Sequence, residues 1–155
     1  MVLITSQFVT SFCERISAAQ STISMCFYSA SAPLKQHRIG YKEIWRCLIA
    51  ACDNGCRVRL MFDHHAGGEA FSKHVTKQIV GFRRAPFPVR FISNKKKLHA
   101  KFTIFDNEWL YVGSHNLTPS GVSANFETGV ISRDPAMCSE LQFFYDHFWD
   151  KAHVC

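Results

Sequence analysis

The chain has 155 residues, of which 47% are hydrophobic and 19% charged, and its formal net charge is +6. This length fits one domain spanning residues 1–155, and the composition excludes a disordered, collagen-like or coiled-coil protein. The longest uncharged stretch, residues 16–34, is too polar to cross a bilayer, so we expect no membrane anchor and, without a visible secretory signal, a cytoplasmic protein.

The first half of the chain alternates helical and strand patterns. Ser11 and Glu14 fit a capping box before apolar residues at helical spacing, and Asn54 and Gly55 are a stop signal for a later helix. Stretches rich in β-branched and aromatic residues predict the strands. In chain order, the predicted elements are helix 11–20, strand 22–28, a loop at 29–40, helix 41–53, strand 57–62, a turn at 64–68 and a weaker helix at 69–82.

The second half is predicted to contain more strands. Asp106, Asn107 and Glu108 form a connection short enough for a hairpin, and Asp134-Pro135 supplies the cap and first residue of a closing helix. The predicted strands are 89–92, 98–105, 109–112 and 127–132. This order of elements predicts an α/β fold, with a mixed, largely parallel central β-sheet flanked by helices on both faces.

The seven cysteines are an odd number at irregular spacing, and several stand among apolar residues. Free buried thiols in a reducing compartment fit this usage better than a disulfide framework. Cys52 and Cys56, near Cys47 and upstream of His64 and His65, leave a zinc site as an alternative, although their spacing departs from the usual C-x2-C.

The positive charge is concentrated in one segment. Between Glu69 and Asp106 there are nine Lys or Arg residues and no acidic residue. Such a segment produces a positive field suited to a polyanion, with nucleic acid first and an anionic membrane surface second. A solvated surface that serves only solubility is the alternative. The residues expected to bind nucleic acid are Lys95, Lys96, Lys97, Arg90, Arg83 and Arg84.

His99, Lys101 and Thr103 share one face of the predicted strand 98–105, because side chains along a strand alternate. Burying a histidine and a lysine side by side is costly without an anionic partner. A structural carboxylate or a bound phosphate would supply that partner, and the strand by itself leaves the choice open.

A longer pattern surrounds these residues. His99-Ala100-Lys101 is followed by Asp106, five positions after the lysine, by Gly113-Ser114-His115-Asn116, and by Asn125 and Glu127. This run resembles the H-x-K-x4-D-x6-G-S-x-N signature of the phospholipase D superfamily, with its trailing N-x-E. One copy is present, as in the short members similar to the endonuclease Nuc and the Zucchini-like proteins. The resemblance therefore implies a homodimer with one composite site.

The resemblance also implies a chemistry and a set of site residues. His99 would attack phosphorus to form a phosphohistidine, while the partner subunit's His99 would protonate the leaving oxygen. Glu127 would hydrogen-bond the imidazole, and Lys101 and Asn116 would donate to the non-bridging oxygens. This scheme requires no metal and no cofactor. The remaining site residues are a supporting donor, Ser114, and a structural carboxylate, Asp106.

The motif identifies the bond that is broken and not the molecule that contains it. The basic segment and the single-motif form favour an endonuclease that cleaves the DNA or RNA backbone. A phospholipase acting on an anionic lipid such as cardiolipin is the first alternative, and a non-catalytic nucleic-acid-binding dimer is the second. The intact catalytic pattern argues against the second alternative.

Overall fold

The computed structural model describes residues 1–4, 7–31, 39–63, 81 and 83–154. The predicted turn at 64–68 and nearly all of the predicted helix at 69–82 lie outside this part of the chain. Within it, no helix combines the length and the apolar character that crossing a membrane requires.

Four helices and eight strands are formed by the described residues. The helices are α1 (Phe8–Ala18), α2 (Ile39–Asp53), α3 (Pro119–Ser123) and α4 (Pro135–Trp149). The strands are β1 (Val2–Ile4), β2 (Thr22–Phe27), β3 (Arg57–Asp63), β4 (Val89–Ile92), β5 (Lys101–Phe105), β6 (Trp109–Gly113), β7 (Gly129–Arg133) and β8 (His153–Val154).

The first helix begins earlier than its capping signal indicates. α1 starts at Phe8, so Ser11 lies inside the helix and the predicted capping box is wrong. The reason is tertiary packing: Phe8 is buried, and its ring lies 4.9 Å from that of Phe12 and 5.3 Å from that of Tyr111. Burial of this aromatic turn outweighs the local preference for starting the helix at Ser11.

The strands form a sheet in the order β1-β7-β6-β5-β2-β3-β4-β8. β3 pairs in parallel with β2 and β4, and the other five pairings of the described strands are antiparallel. The mixed α/β class is confirmed, but the prediction of a largely parallel sheet is wrong. The connections explain this, because β2 reaches β3 through a crossover that contains α2, whereas β5 and β6 are joined by a hairpin.

Helices pack against both faces of the sheet, as predicted. On one face, α1 and α2 contribute Phe12 and Leu48, which are fully buried among the apolar residues of the central strands. On the other face, α4 contributes Tyr145 and Trp149 to a second apolar cluster. The alternation of side chains along the strands supplies both clusters, so the sheet is buried on its two sides.

The strand directions bring the ends of several strands to one edge of the sheet. β2, β3, β4 and β6 end at this edge, and β5 and β7 begin there. We call it the motif edge, and its residues are Tyr28, Asp63, His99, Ser114, Asn116 and Glu127.

Asp106 lies at the opposite end of β5, where it closes the β5–β6 hairpin. Asp106 and Asn107 have φ angles of 54° and 56°, in the left-handed region that Asp and Asn tolerate. The Asp106 carboxylate accepts the backbone N–H groups of Gln20 and Ser21 at 2.8 Å and that of Thr22 at 2.9 Å. Burial raises the pKa of this carboxyl, but the hydrogen bonds outweigh burial and lower the pKa overall. Asp106 therefore ties the hairpin to the α1–β2 connection.

We predict that Asp106→Asn lowers the free energy of unfolding at neutral pH by about 2 kcal/mol, because hydrogen bonds to a charged acceptor are lost while the turn is kept. The folded pKa lies below the unfolded one, so this stability is present above about pH 4 and is lost as the pH falls through the folded pKa. Urea denaturation at neutral and at acid pH should show the difference between variant and wild type shrinking in acid. Asp53→Asn, at an exposed position at the end of α2, is the control. An equal loss at both pH values would contradict the assignment.

Candidate active site

His99 stands at the motif edge, two residues before β5. The predicted strand 98–105 begins only at Lys101, and the His99 side chain is exposed. β2 and β5 pair Phe27 with Lys101, which places Tyr28 beside both site residues. The Tyr28 ring centroid is 4.6 Å from that of His99 and 5.4 Å from Lys101 Nζ.

Lys101 holds its ammonium group against the imidazole of His99. Its Nζ donates to the His99 carbonyl oxygen at 2.8 Å and lies 3.2 Å from His99 Nδ1 and 3.4 Å from Nε2. The ammonium group is nearly equidistant from the two ring nitrogens, so it lies beside the imidazole without marking which nitrogen carries the proton. Burial lowers the pKa of Lys101, while the charge of Glu127 acts in the opposite direction. The arrangement thus combines an exposed imidazole with a neighbouring cation.

Glu127, just before β7, accepts hydrogen bonds from two neighbouring side chains at the motif edge. The Ser114 hydroxyl donates to Glu127 Oε2, and Asn125 Nδ2 donates to Oε1 at 2.9 Å. Burial raises the pKa of this carboxyl, but these donors and nearby positive charge lower it overall. The expected hydrogen bond between Glu127 and His99 is not among the contacts within the described residues. Glu127 is therefore an anion held at the motif edge by Ser114 and Asn125.

Asn116 presents an amide nitrogen at the same edge. The backbone N–H of Ser29 donates to Asn116 Oδ1 at 3.1 Å. A backbone N–H can only donate, which fixes the orientation of the amide group. Nδ2 has no hydrogen-bond partner in the part of the chain that the structure describes. Two N–H donors are thus left for a ligand.

Three residues at the motif edge or in contact with it were missed by sequence reasoning. Asp63 is 1% exposed and accepts the backbone N–H of Leu98 at 2.6 Å, which anchors the segment that carries His99. The sequence could have indicated Asp63, because a carboxylate at the carboxyl end of a buried strand often belongs to a ligand-binding site. Tyr28 and Ser29 carry no sequence signal of this kind. They come close to the motif residues only because β2 pairs with β5.

The six basic residues predicted to bind nucleic acid separate into two groups. Three exposed lysines occupy the β4–β5 loop that leads into His99, namely Lys95, Lys96 and Lys97. Arg83 and Arg84 are exposed but precede β4, whose end and not its start lies at the motif edge. The Arg90 guanidinium lies 4.5 Å from the Trp149 ring centroid and donates to the Trp149 carbonyl at 2.8 Å. The structure brings the lysines to the site, and not the arginines.

Two apolar grooves open beside His99. One has a volume of about 240 Å³, and its apolar walls are Ile92, Leu98, Phe144 and Phe148. The other has a volume of about 410 Å³, and its apolar walls are Phe102, Val112, Leu141 and Phe144. Phe144, which is 36% exposed, stands between them and contributes to both. A ligand at His99 can therefore contact apolar surface as well as charge.

The zinc alternative receives no support from the described residues. His64 and His65 lie outside them. Within them, no three or more His, Cys, Asp or Glu side chains are grouped so that they could hold a metal ion. Cys47, Cys52 and Cys56 are free thiols, as expected, and Cys56 is buried.

The fold and the motif place the chain in a known class. Residues 12–149 match the family described as cardiolipin synthase, PLD-like domain. The chain therefore belongs to the phospholipase D superfamily, as its motif indicates, and carries a single copy of that motif.

A curated relative extends the similarity. The mitochondrial cardiolipin hydrolase of Chlamydomonas reinhardtii is 28% identical over 142 residues, which are 90% of this chain and 56% of that protein. The chain thus spans about half the length of the curated relatives that it matches.

Two solved structures share the fold. Nuc from Salmonella typhimurium, a phospholipase D family member, is 23% identical with a TM-score of 0.79, over 99% of this chain and 96% of that one. NucT from Helicobacter pylori is 15% identical with a TM-score of 0.76, over 99% and 98% of the two chains. At these identities the likeness establishes the fold.

Proposed function

We propose that the protein is a metal-independent phosphodiesterase that cleaves the backbone of DNA or RNA through a phosphohistidine at His99. The contact between His99 and Lys101 carries the proposal. The exposed imidazole is placed to act as the nucleophile, and the ammonium group 3.2 Å from it supplies a cation for the developing charge. Membership of the phospholipase D superfamily supports the same chemistry.

The reaction proceeds in two displacements. His99 attacks phosphorus, and the bond from phosphorus to the leaving oxygen breaks. A second imidazole gives that oxygen a proton and then removes a proton from the attacking water. Water displaces the His99 nitrogen from phosphorus, which releases the phosphate product and restores the free imidazole.

The second imidazole would come from another copy of the chain, in a homodimer with one composite site. Within the described residues, His115 belongs to the same motif but is buried and stacked on Phe8. Glu127 is held at the motif edge by Ser114 and Asn125, without an imidazole partner from the described part of its own chain. The partner subunit's His99 would meet this carboxylate and complete the site.

Transition-state charge would be stabilised by Lys101 and Asn116. Asn116 Nδ2 is oriented by the bond from Ser29 to Oδ1, so it can donate to a non-bridging oxygen without reorganisation. Ser114 would act through Glu127, to which its hydroxyl donates.

Nucleic acid is the substrate that the surface charge favours. Lys95, Lys96 and Lys97 are exposed on the loop that enters the site, where they would contact phosphates on either side of the cleaved bond.

Hydrolysis of an anionic phospholipid is the second candidate function. The two grooves beside His99 are lined mainly by apolar side chains, which suit acyl chains. The name of the relative, mitochondrial cardiolipin hydrolase, points to the same class of substrate. The exposed lysines fit an anionic headgroup as well as a nucleic acid.

We expect His99→Ala to lose turnover by at least about a thousandfold and to keep substrate binding, because the imidazole supplies the nucleophile. Turnover is measured on bis(p-nitrophenyl) phosphate, which has neither base nor acyl chain, and on plasmid, single-stranded DNA, RNA and cardiolipin vesicles. His147→Ala, which removes an exposed histidine from α4, is the matched control. Cleavage of vesicles alone would favour the second candidate, and wild-type turnover by the His99 variant would overturn both.

We expect turnover to survive a chelator, because the lysines and asparagines of two subunits supply the positive charge and donors that metal ions supply in other phosphodiesterases. The rate on bis(p-nitrophenyl) phosphate is compared before and after dialysis against EDTA. Activity that disappears and returns with a divalent cation would rule out the metal-independent scheme.

We expect joint replacement of Lys95, Lys96 and Lys97 by Gln to reduce the slope of log K against log salt by up to about three for duplex DNA, since each phosphate contact contributes about one. Fluorescence anisotropy of a labelled duplex measures the slope, in protein that lacks the nucleophile so that the DNA stays intact. Arg83→Gln with Arg84→Gln is the control, because both residues precede β4. An unchanged slope in the triple variant, or an equal drop in the control, would remove the lysines from the interface.

A further inference from the structure

The histidine inside the motif has no part in the proposed chemistry. His115 is 2% exposed, whereas Ser114 on one side of it is exposed and Asn116 on the other is half-buried. The His115 ring stacks on that of Phe8 in α1, with centroids 4.0 Å apart and 16° between the ring planes. Its Nδ1 lies 2.7 Å from Tyr111 Oη. His115 therefore points into the core and away from the site.

Tyr111 reaches His115 because two glycines leave room for its ring. Gly113 and Gly129 pair with each other across β6 and β7. A Cβ added at Gly113 would lie 2.2 Å from Tyr111 Oη, and one added at Gly129 would lie 2.5 Å from a carbon of the Tyr111 ring. Both distances are far inside van der Waals contact. The phenol thus lies in a channel along the sheet that a side chain at either glycine would close.

The loop around His115 is held in two different ways. Backbone hydrogen bonds fix it at both ends. The Ser114 N–H donates to the Thr128 carbonyl at 2.9 Å, and the Leu117 N–H donates to the Ser29 carbonyl at 3.0 Å. Between these points, the side chains of His115 and Asn116 hold it. Ser114 lies in a bend and is exposed, and Asn116 is half-buried. Burial of the His115 ring therefore fixes the backbone from which the side chains of Ser114 and Asn116 extend.

The hydrogen bond between Tyr111 and His115 joins two neutral groups. Burial raises the pKa of the Tyr111 phenol, and burial lowers the pKa of His115 against the opposing charge of Glu127. The tautomer of His115 sets which group donates, and in either direction the bond fixes the rotation of the ring. Without the hydroxyl, Nδ1 would be buried without a partner, and the ring and its loop would reorient.

We propose that the Tyr111–His115 pair is a positioning device that sets the loop of residues 114–116 for phosphate binding. The proposal rests on the phosphodiesterase function proposed above. Neither residue touches the substrate. They act through Ser114, which donates to Glu127, and through Asn116, whose amide is oriented by the bond from Ser29 and whose Nδ2 is left to donate to a phosphate oxygen.

Tyr111→Phe tests the pair by removing the hydroxyl and keeping the ring. On bis(p-nitrophenyl) phosphate we expect kcat to fall on the order of tenfold, with KM changed by less than about twofold, because the donors are misplaced in the transition state. Tyr145→Phe is the matched control, since Tyr145 is fully buried but its Oη has no hydrogen-bond partner among the described residues. Its kcat should equal that of the wild type.

Two replacements of the histidine provide a second test. His115→Asn keeps an acceptor close to the place of Nδ1, whereas His115→Leu does not. We expect the Asn variant to retain several times more activity than the Leu variant, and thermal unfolding confirms that the compared proteins are folded. A purely structural role would lower the melting temperature and leave the kcat of the folded protein unchanged.

Amide NMR spectra provide a readout that does not require turnover. The signals of Ser114 and of the Asn116 side chain should shift in Tyr111→Phe and stay in place in Tyr145→Phe. If the wild type is active, a wild-type kcat in Tyr111→Phe overturns the positioning role and leaves the His99 chemistry intact. If the wild type cleaves nothing, the proposed function fails, and the NMR shifts alone decide whether the pair positions the loop.

Discussion

The candidate site depends on the reversal of the chain at Asp106 and Asn107. β5 leaves the motif edge for five residues, and β6 returns to it over five residues. The register of this hairpin pairs Phe102 with Val112, so it brings the first residue of β5, Lys101, and the last residue of β6, Gly113, to the same edge. The gap between the lysine and the Gly-Ser pair of the motif is thus the length of one hairpin. Positive φ angles at the turn are what allow this return.

Buried polar residues fix the backbone segments that carry the accessible groups of the site. Asp63 fixes the backbone just before His99, and His115 lies beneath the loop that carries Asn116. A buried carboxylate or imidazole is costly unless it is hydrogen-bonded, so these contacts also favour a single arrangement of the loops. The groups that would meet phosphate are left accessible on a sheet that is otherwise covered on both faces.

The reliable sequence predictions were those with a local physical cause. The closing helix begins after Asp134, whose side chain accepts the Met137 N–H at 3.0 Å, as its capping signal indicates. The predicted helix over residues 41–53 and the strand over 89–92 also form. The predicted start of α1 was wrong because the packing of Phe8 outweighs the capping preference of Ser11. The prediction of a largely parallel sheet was wrong because most strand pairs join segments far apart in the chain, and the direction of such pairs has no local signal.

By itself, the sequence determined the order of helices and strands, the family, and the residues from His99 to Glu127 that form the motif. Only the tertiary structure decided that most strand pairs are antiparallel, that Tyr28 and Asp63 belong to the motif edge, and that the lysines and arginines of the basic segment separate. The physical reason is that strand pairing joins residues far apart in the chain. The alternation of side chains along a strand does not identify the strand with which it pairs. Burial and hydrogen bonding in the folded sheet decide the pairing.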